Sequence, residues 1–359
     1  MSEHMRRALQ LAKRGCYTTS PNPMVGAVVV DPQGEIVGQG YHRRAGGPHA
    51  EVYALRQAGE RARGGSLYVT LEPCNHQGRT PPCTEAIIAA GIQSVHIASL
   101  DPNPHVAGGG AERLRQQGIG VAVGDLQSEA IALNRPFMTW STLGRPMVTL
   151  KAATSLDGKI NGWVPATRYL SGDETLKAVH DLRRSHDAIL VGIGTVIADD
   201  PSLTYRGKGQ GRDPVRVIVD SHGRTPPDCR ALLTASQAPT IIYSTEDAPL
   251  EWERKIFANG GEVVRVAHSA SGQVHLPSIL HDLAERRILS VLVEGGATTH
   301  GEFLKQRLAD QWISFFSPIL IGDRGLAAVS GSPVPSATCK LVEVRTLGTD
   351  LMVRALITR

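Results

Sequence analysis

What the 359-residue chain lacks narrows its class before any motif is read. No stretch approaches the roughly twenty consecutive apolar residues that a membrane-spanning helix needs, so a membrane role is not expected. Blocks of like charge are also missing. The formal charge is +4, and residues 1–144 carry 13 Lys/Arg against 11 Asp/Glu while the remainder carries 25 against 23. Basic residues scattered singly or in pairs do not make a nucleic-acid module, and a phosphorylated small molecule is the better-suited partner. Cysteine is scarce and odd in number, five in all, which excludes a disulfide framework and implies reduced thiols. The N-terminus, Met1 to Arg7, runs into alternating Ala-Leu-Gln-Leu-Ala without the apolar run and cleavage site of a secretory signal. A cytoplasmic protein is expected. What is present, 41% hydrophobic and 20% charged residues, is globular composition, and the length suggests two domains. Ser141 to Pro146, polar and broken by Gly and Pro, is the expected joint, giving domains 1–144 and 145–359.

Spacing and turn residues divide the first domain into alternating elements. Residues 5–15 have helical periodicity, with Met5, Ala8, Leu9 and Leu11 on one side and Gly15 as the stop. Thr18 to Pro23 is a loop, because two prolines in three residues remove donors and hold the backbone extended. Strands are expected at 25–30, 35–41, 67–71, 95–100 and 119–123, and helices at 49–55, 83–90, 111–117 and 128–135. Such alternation implies a layered α/β domain.

Chemistry concentrates in Pro48-His49-Ala50-Glu51 and in Pro73-Cys74, followed after eight residues by Cys83. One imidazole and two thiolates form the ligand set of a zinc ion that keeps its fourth position open for water. A carboxylate two residues from the histidine can move protons to and from that water, as in the zinc deaminases with H-x-E and P-C signatures. Both ligand segments lie at expected helix starts, where amide N–H groups favour thiolate over thiol. A Cys74–Cys83 disulfide is the alternative that spacing alone leaves open.

Thr18 to Gly26, His49 to Leu55 and Leu71 to Cys83 together resemble the bifunctional riboflavin-biosynthesis deaminase/reductase family, whose eight-residue insert replaces the short Cys-x-x-Cys of common cytidine deaminases. The resemblance implies a cytidine-deaminase-like α/β/α domain with zinc on His49, Cys74 and Cys83. It implies that Glu51 transfers protons while a pyrimidine loses its 2-amino group, and that Asn22, His42, His76 and Arg79 hold the substrate. Read without it, Asn22 suits the Pro-Asn-Pro turn, and the other three suit a surface or loop carbonyls. Asp101-Pro102-Asn103-Pro104 matches a family motif and reads equally well as a turn.

In the second domain the likeness continues from Lys151 to Gly158, the Lys-x-x-x-Ser-Leu-Asp-Gly opening of reductases related in fold to dihydrofolate reductase. It implies a dihydrofolate-reductase-like α/β domain that uses NADPH, with Lys151 as a catalytic cation on the strand 147–153. Residues 161–169 depart from the family: Thr167 takes the place of a serine at the substrate and Tyr169 that of a tryptophan against the cofactor, with Trp163 either filling the same space or lying in the core. By resemblance Ala153, Tyr169, Thr195, Asp199, Ser221, Gly296, Ala297, Thr298 and Thr299 hold NADPH, while Thr167, Arg183, Leu203, Arg206 and Glu294 contact phosphorylated substrate. The stretch Val291 to Thr299 supports this by itself, since glycines after an apolar strand let an anion reach the N–H groups of a helix start.

Helices are expected at 173–185, 250–257, 277–287 and 301–308, and strands at 188–191, 215–220, 240–243, 262–266 and 311–319, with a final pair at 340–346 and 351–358. Gly192-Ile193-Gly194-Thr195 lacks the third glycine of a dinucleotide fingerprint, so a Rossmann fold is not expected. Gly223 to Pro227 repeats the pentapeptide at 78–82 with no His-x-Glu before it, which leaves Cys229 as a structural thiol. The expected activity is zinc-dependent deamination of a phosphorylated diaminopyrimidine, then NADPH-dependent reduction of its ribosyl group. Phosphorylated pyrimidines and further copies of the chain are the expected partners. A nucleic-acid deaminase with an accessory domain is opposed by the charge balance, and a structural zinc site by the presence of only three ligands.

Overall fold

The structure is a computed structural model that describes residues 3–76, 81–103, 109–161, 170–207, 212–331 and 336–358. The chain forms two compact units, Met1–Gly144 and Arg145–Arg359.

In the first unit α1 (Glu3–Ala12) leads to β1 (Gly26–Val30), β2 (Ile36–Tyr41), α2 (Ala50–Ala58), β3 (Ser66–Val69), α3 (Cys83–Ala89), β4 (Ser94–Ile97), α4 (Gly109–Gln116), β5 (Gly120–Val123), α5 (Gln127–Leu133) and α6 (Arg135–Leu143). The sheet order is β2-β1-β3-β4-β5, with β1 antiparallel to both neighbours and β3, β4 and β5 parallel. β1 is buried along its whole length, as an unbroken Gly-Ala-Val-Val-Val run demands. One face carries Ala50, Ala54, Leu67, Val69, Ile87 and Ile97, and a second cluster gathers Met5, Ala8, Leu9, Val28 and Val30 under α1. Glycines set how closely the helices lie. A Cβ on Gly38 would fall 2.0 Å from the Ala54 carbonyl oxygen, and one on Gly40 would fall 2.2 Å from that of Ala50. The alanine face of α2 therefore rests directly on the backbone of β2.

The expected joint at 141–146 begins inside a helix. α6 runs to Leu143, where Gly144 closes it with φ at 63°. Pro136 in its first turn and the Thr142 hydroxyl donating to the Met138 carbonyl make this polar run compatible with a helix.

The second unit contains β6 (Met147–Ser155), β7 (Lys159–Asn161), α7 (Asp173–Ser185), β8 (Ala188–Gly192), α8 (Ile193–Asp199), β9 (Val215–Val219), α9 (Arg230–Leu233), β10 (Thr240–Ser244), α10 (Leu250–Ala258), β11 (Glu262–Arg265), α11 (Leu276–Glu285), β12 (Ser290–Val293), α12 (Ala297–Lys305), β13 (Gln311–Ser317), β14 (Leu326–Ala327), β15 (Thr338–Leu347) and β16 (Asp350–Thr358). Nine strands form one sheet in the order β11-β10-β9-β8-β12-β6-β13-β16-β15, parallel as far as β13 and antiparallel in the last two pairings. Apolar β8 and β12, buried on both faces, are the sequence counterpart of a covered parallel sheet. β14 and β7 make a separate two-stranded ribbon.

Other features of the second unit also depart from the sequence expectation. α8 follows β8 at once, at Gly-Ile-Gly-Thr, where no element was expected. α12 starts at Ala297, directly after the glycines, rather than at 301. The β7–β14 ribbon was not foreseen, because two or three residues per strand leave no period to read.

Two candidate active sites

His49 is the N-cap of α2, and Cys83 is the first residue of α3, so two helix starts meet where the ligands were expected. The Nδ1 atom of His49 lies 3.2 Å from Cys83 Sγ and 3.5 Å from Cys74 Sγ, and all three donor atoms lie within 4.8 Å of one another. Tetrahedral zinc with ordinary Zn–N and Zn–S bonds sets such ligand atoms about 3.5 Å apart, so the triangle fits the ion. The Cys83 amide donates to Cys74 Sγ at 3.4 Å, placing the N-terminal dipole of α3 on that sulfur. The Cys83 side-chain hydrogen bond, helped by His49, holds Cys74 at about 4, and the resulting thiolate pushes Cys83 far up. All five cysteines are free, which removes the disulfide alternative.

Glu51, the second residue of α2, is 3% exposed, and among the described residues its Oε2 has no hydrogen-bond partner. Burial raises its pKa, and the nearby His49 offsets this only in part. His42 is buried with its ring edge-on to His49 at 5.5 Å between centroids. Its Nδ1 meets the Pro48 carbonyl at 3.1 Å, so Nδ1 carries the proton, and its Nε2 accepts from the Asn22 amide at 3.2 Å. Asn22 and His42 thus come together beside the ligand cluster. His76 is exposed, and Arg79 lies outside the described residues. Asp101 does make a turn, its Oδ1 accepting from the Asn103 amide at 2.9 Å, yet it also stands against buried Glu72, which accepts from the amides of Asp101 and Ala111. Glu72 ties the Pro73-Cys74 segment to α4. Sequence reading passed over it, and its place directly before Pro-Cys was the available signal.

The second site is a cavity of about 950 Å³ at the carboxyl ends of the parallel strands, the usual ligand position in such sheets. Strand order creates its floor. Leu150 of β6 and Leu190 of β8 both stand opposite Val293 of β12, so the next residues, Lys151 and Glu294, emerge side by side. Lys151 Nζ is 3.9 Å from Glu294 Oε2. Arg183 of α7 grips Glu294 with two parallel bonds, Nε to Oε1 and Nη2 to Oε2, each 2.9 Å, and its Nη1 donates to the Thr204 carbonyl at 3.3 Å. Burial works against the Glu294 charge, but Arg183 and Lys151 outweigh it and hold the group at about 2. Burial lowers the Lys151 pKa, against the pull of Glu294.

Ala153, Thr195, Asp199, Ser221, Leu203, Arg206, Gly296, Thr298 and Thr299 also line the cavity. Ala297 does not; it is buried in the first turn of α12. Thr167, Tyr169 and Trp163 lie outside the described residues. Close packing shapes the glycine end, where a Cβ on Gly192 would fall 2.8 Å from Thr299 Oγ1 and one on Gly295 would fall 2.6 Å from Thr299 Cβ. Cys229 is a core residue among Ile189, Ile218 and Trp252. His180 and Arg224 line the cavity although sequence reading did not single them out. For His180 the signal was its place one helical turn before Arg183.

Comparison with known proteins places a known family on each unit. The family model described as the cytidine and deoxycytidylate deaminase zinc-binding region matches residues 1–99, and the RibD C-terminal domain matches residues 146–353. The riboflavin biosynthesis protein RibD of Aquifex aeolicus is 44% identical, with 98% of this chain and 96% of that protein aligned. The protein of the same name from Escherichia coli is 40% identical, with 97% of each covered. Among solved structures, Acinetobacter baumannii RibD superposes with a TM-score of 0.89 at 36% identity, covering 99% of this chain and 98% of that one. With relatives aligned along nearly its whole length and a family model on each unit, the chain belongs to the RibD family of riboflavin biosynthesis proteins.

Proposed function

We propose that this chain carries out two successive reactions of riboflavin biosynthesis. The first unit hydrolytically deaminates 2,5-diamino-6-ribosylamino-4(3H)-pyrimidinone 5′-phosphate, and the second reduces the ribosyl group of the product to ribityl with NADPH. The observation that carries this reading is the presence in one chain of a His-Cys-Cys triangle beside a buried, half-unpartnered carboxylate and of a Lys-Glu-Arg cluster on a cavity floor. It is supported by a Thermotoga maritima structure, 40% identical with a TM-score of 0.85, titled as a diaminohydroxyphosphoribosylaminopyrimidine deaminase/5-amino-6-(5-phosphoribosylamino)uracil reductase and covering 99% of this chain and 98% of its own.

Zinc held by His49, Cys74 and Cys83 would act as a Lewis acid that lets water ionise near neutral pH. Glu51 accepts a proton from the attacking water as its oxygen bonds to C2, and passes that proton to the ring nitrogen. The same carboxylate then moves the remaining hydroxyl proton to the amine, the C2–N bond breaks and ammonia leaves. Asn22, oriented by His42, stands ready to hold the pyrimidine.

In the second unit NADPH, held along the glycine end of the cavity by Gly296, Thr298 and Thr299, would supply the hydride that reduces the ribosyl group. Lys151 places a proton donor beside the heteroatom that receives the displaced electron pair, and Glu294, fixed by Arg183, accepts from the substrate. The start of α12 offers its amides to the cofactor's phosphates. Cytoplasmic location and self-association belong to the same proposal. Edge strand β15, with Leu341, Val342 and Val344 exposed, supports self-association, and sedimentation tests it.

An assay following ammonia and NADPH together tests the whole. Glu51→Gln is expected to lower ammonia release by about 10² or more while NADPH oxidation of supplied intermediate continues. Lys151→Met is expected to do the reverse. Ammonia release unchanged in Glu51→Gln would refute the first assignment, and NADPH oxidation unchanged in Lys151→Met the second.

A further inference from the structure

Arg183 was expected to contact the phosphorylated substrate, but its guanidinium is engaged elsewhere. Nε and Nη2 are bound to Glu294 and Nη1 to the Thr204 carbonyl, so the fork that suits a phosphate is already filled by a carboxylate. A dianionic phosphate in this cavity therefore needs other donors. Arg206 is one, an exposed residue whose Nη1 donates to Ser202 Oγ at 2.6 Å, leaving other N–H groups of the guanidinium.

The second stands on α7. His180 precedes Arg183 by three residues, so helical geometry puts both on one face, and both line the cavity. The backbone N–H of Arg206 donates to His180 Nδ1 at 3.3 Å. An amide can only donate, so Nδ1 offers its lone pair and the ring proton sits on Nε2. Among the described residues no protein group accepts from Nε2. Tyr205 packs edge-on against the ring, 6.4 Å between centroids, which fixes its plane. One contact thus sets the tautomer and another the orientation of an N–H donor in the cavity wall.

We propose that His180 is a substrate-binding residue of the reductase site, donating from Nε2 to the phosphate ester of the ribosylamino substrate alongside Arg206. The inference rests on the reductase reading above and adds a recognition element to it. Burial, together with the charges of Arg183 and Arg206, lowers the His180 pKa and keeps the ring in its neutral, single-donor form. The pyrimidine and sugar then lie toward Lys151 and Glu294, and the phosphate against the segment 202–206.

The test uses the full-length protein and two substrates, the deaminated ribosylamino intermediate with and without its phosphate. NADPH oxidation gives kcat and KM, and nicotinamide fluorescence gives the affinity for NADPH. His180→Ala is expected to raise KM for the phosphorylated substrate about tenfold or more, because one hydrogen bond to a charged group is lost. The kcat, the dephosphorylated substrate and NADPH affinity should change little. His180→Gln, whose amide can accept from Arg206 and still donate, should keep most of the preference for phosphate. A purely structural role would lower kcat/KM for both substrates alike, and that result in His180→Ala, or an unchanged preference, overturns the proposal. Should the alanine variant lose NADPH binding, the glutamine variant decides, and loss of phosphate preference there overturns it too. Failure of the unmodified protein to oxidise NADPH with either substrate would instead defeat the reductase reading itself.

Discussion

Gly40→Ala tests whether the packing of α2 on β2 sets the geometry of the metal cluster. The new Cβ would lie 2.2 Å from the Ala50 carbonyl oxygen, 2.7 Å from the Ala54 nitrogen and 2.7 Å from Tyr53 Cβ, where ordinary contact starts at 3.4 Å. Two of the three obstacles are backbone, so no side chain can swing aside, and α2 must retreat by about 1 Å. The turn that moves follows His49 and holds Glu51. Overpacking of this kind costs about 1–3 kcal/mol, which leaves the unit folded. The site is less tolerant, since ligand atoms now 3.2 and 3.5 Å apart serve a metal whose bonds tolerate only about 0.2 Å.

The expected outcome is weaker zinc retention on dialysis and ammonia release lowered by about 10², while NADPH oxidation by the other unit is unchanged. Gly120→Ala is the control, because its nearest atoms would be 3.7 and 3.8 Å away. Wild-type zinc content and ammonia release in Gly40→Ala would show that α2 can shift without disturbing its ligands, and would refute the reasoning.

Two further outcomes follow from the sites. Chelation of zinc should abolish ammonia release and leave NADPH oxidation intact, because among the described residues the His49, Cys74 and Cys83 triangle is the one metal-ligating cluster and it lies wholly in the first unit; parallel loss of both activities would contradict this. Glu294→Gln should destabilise the second unit in a pH-dependent way. The Glu294 pKa is depressed to about 2, so its contribution is fully present above about pH 4.5 and vanishes as pH falls through about 2. Urea midpoints of wild type and variant should therefore differ by a gap on the order of 3 kcal/mol that narrows across this window, and a gap independent of pH would exclude the ion cluster as its source.

The zinc triangle was legible because metal chemistry restricts ligand types, and because His49 and Cys83 each sit at a helix start that composition also marks, whereas Cys74 lies in the loop before α3. Glu72 was not legible, since nothing in Leu-Glu-Pro-Cys says that its carboxylate will gather the amides of Asp101 and Ala111. The cavity floor was legible only as separate residues. Lys151, Arg183 and Glu294 meet because β12 inserts between β8 and β6, and strand order is a long-range property that no local pattern carries. The same fact explains why Arg183, expected by resemblance at the phosphorylated substrate, holds Glu294 once the sheet is assembled.

Glu51 and Glu294 show what partner geometry adds to residue identity. Glu51 is buried and Glu294 largely so, each at the end of a short motif, and burial alone raises the pKa of either. Glu294 meets a bidentate arginine and a lysine and stays ionised down to about pH 2, which suits a fixed anion that positions cations. Glu51 keeps one oxygen without a partner among the described residues and has its pKa raised, which suits a group that must take up and give back protons. Exchanging those surroundings would exchange the roles: a guanidinium beside Glu51 would hold its charge and stop the proton transfer, and removing Arg183 would let Glu294 take up a proton and release Lys151. Arg183→Met is accordingly expected to impair reduction through the loss of its paired bonds to Glu294.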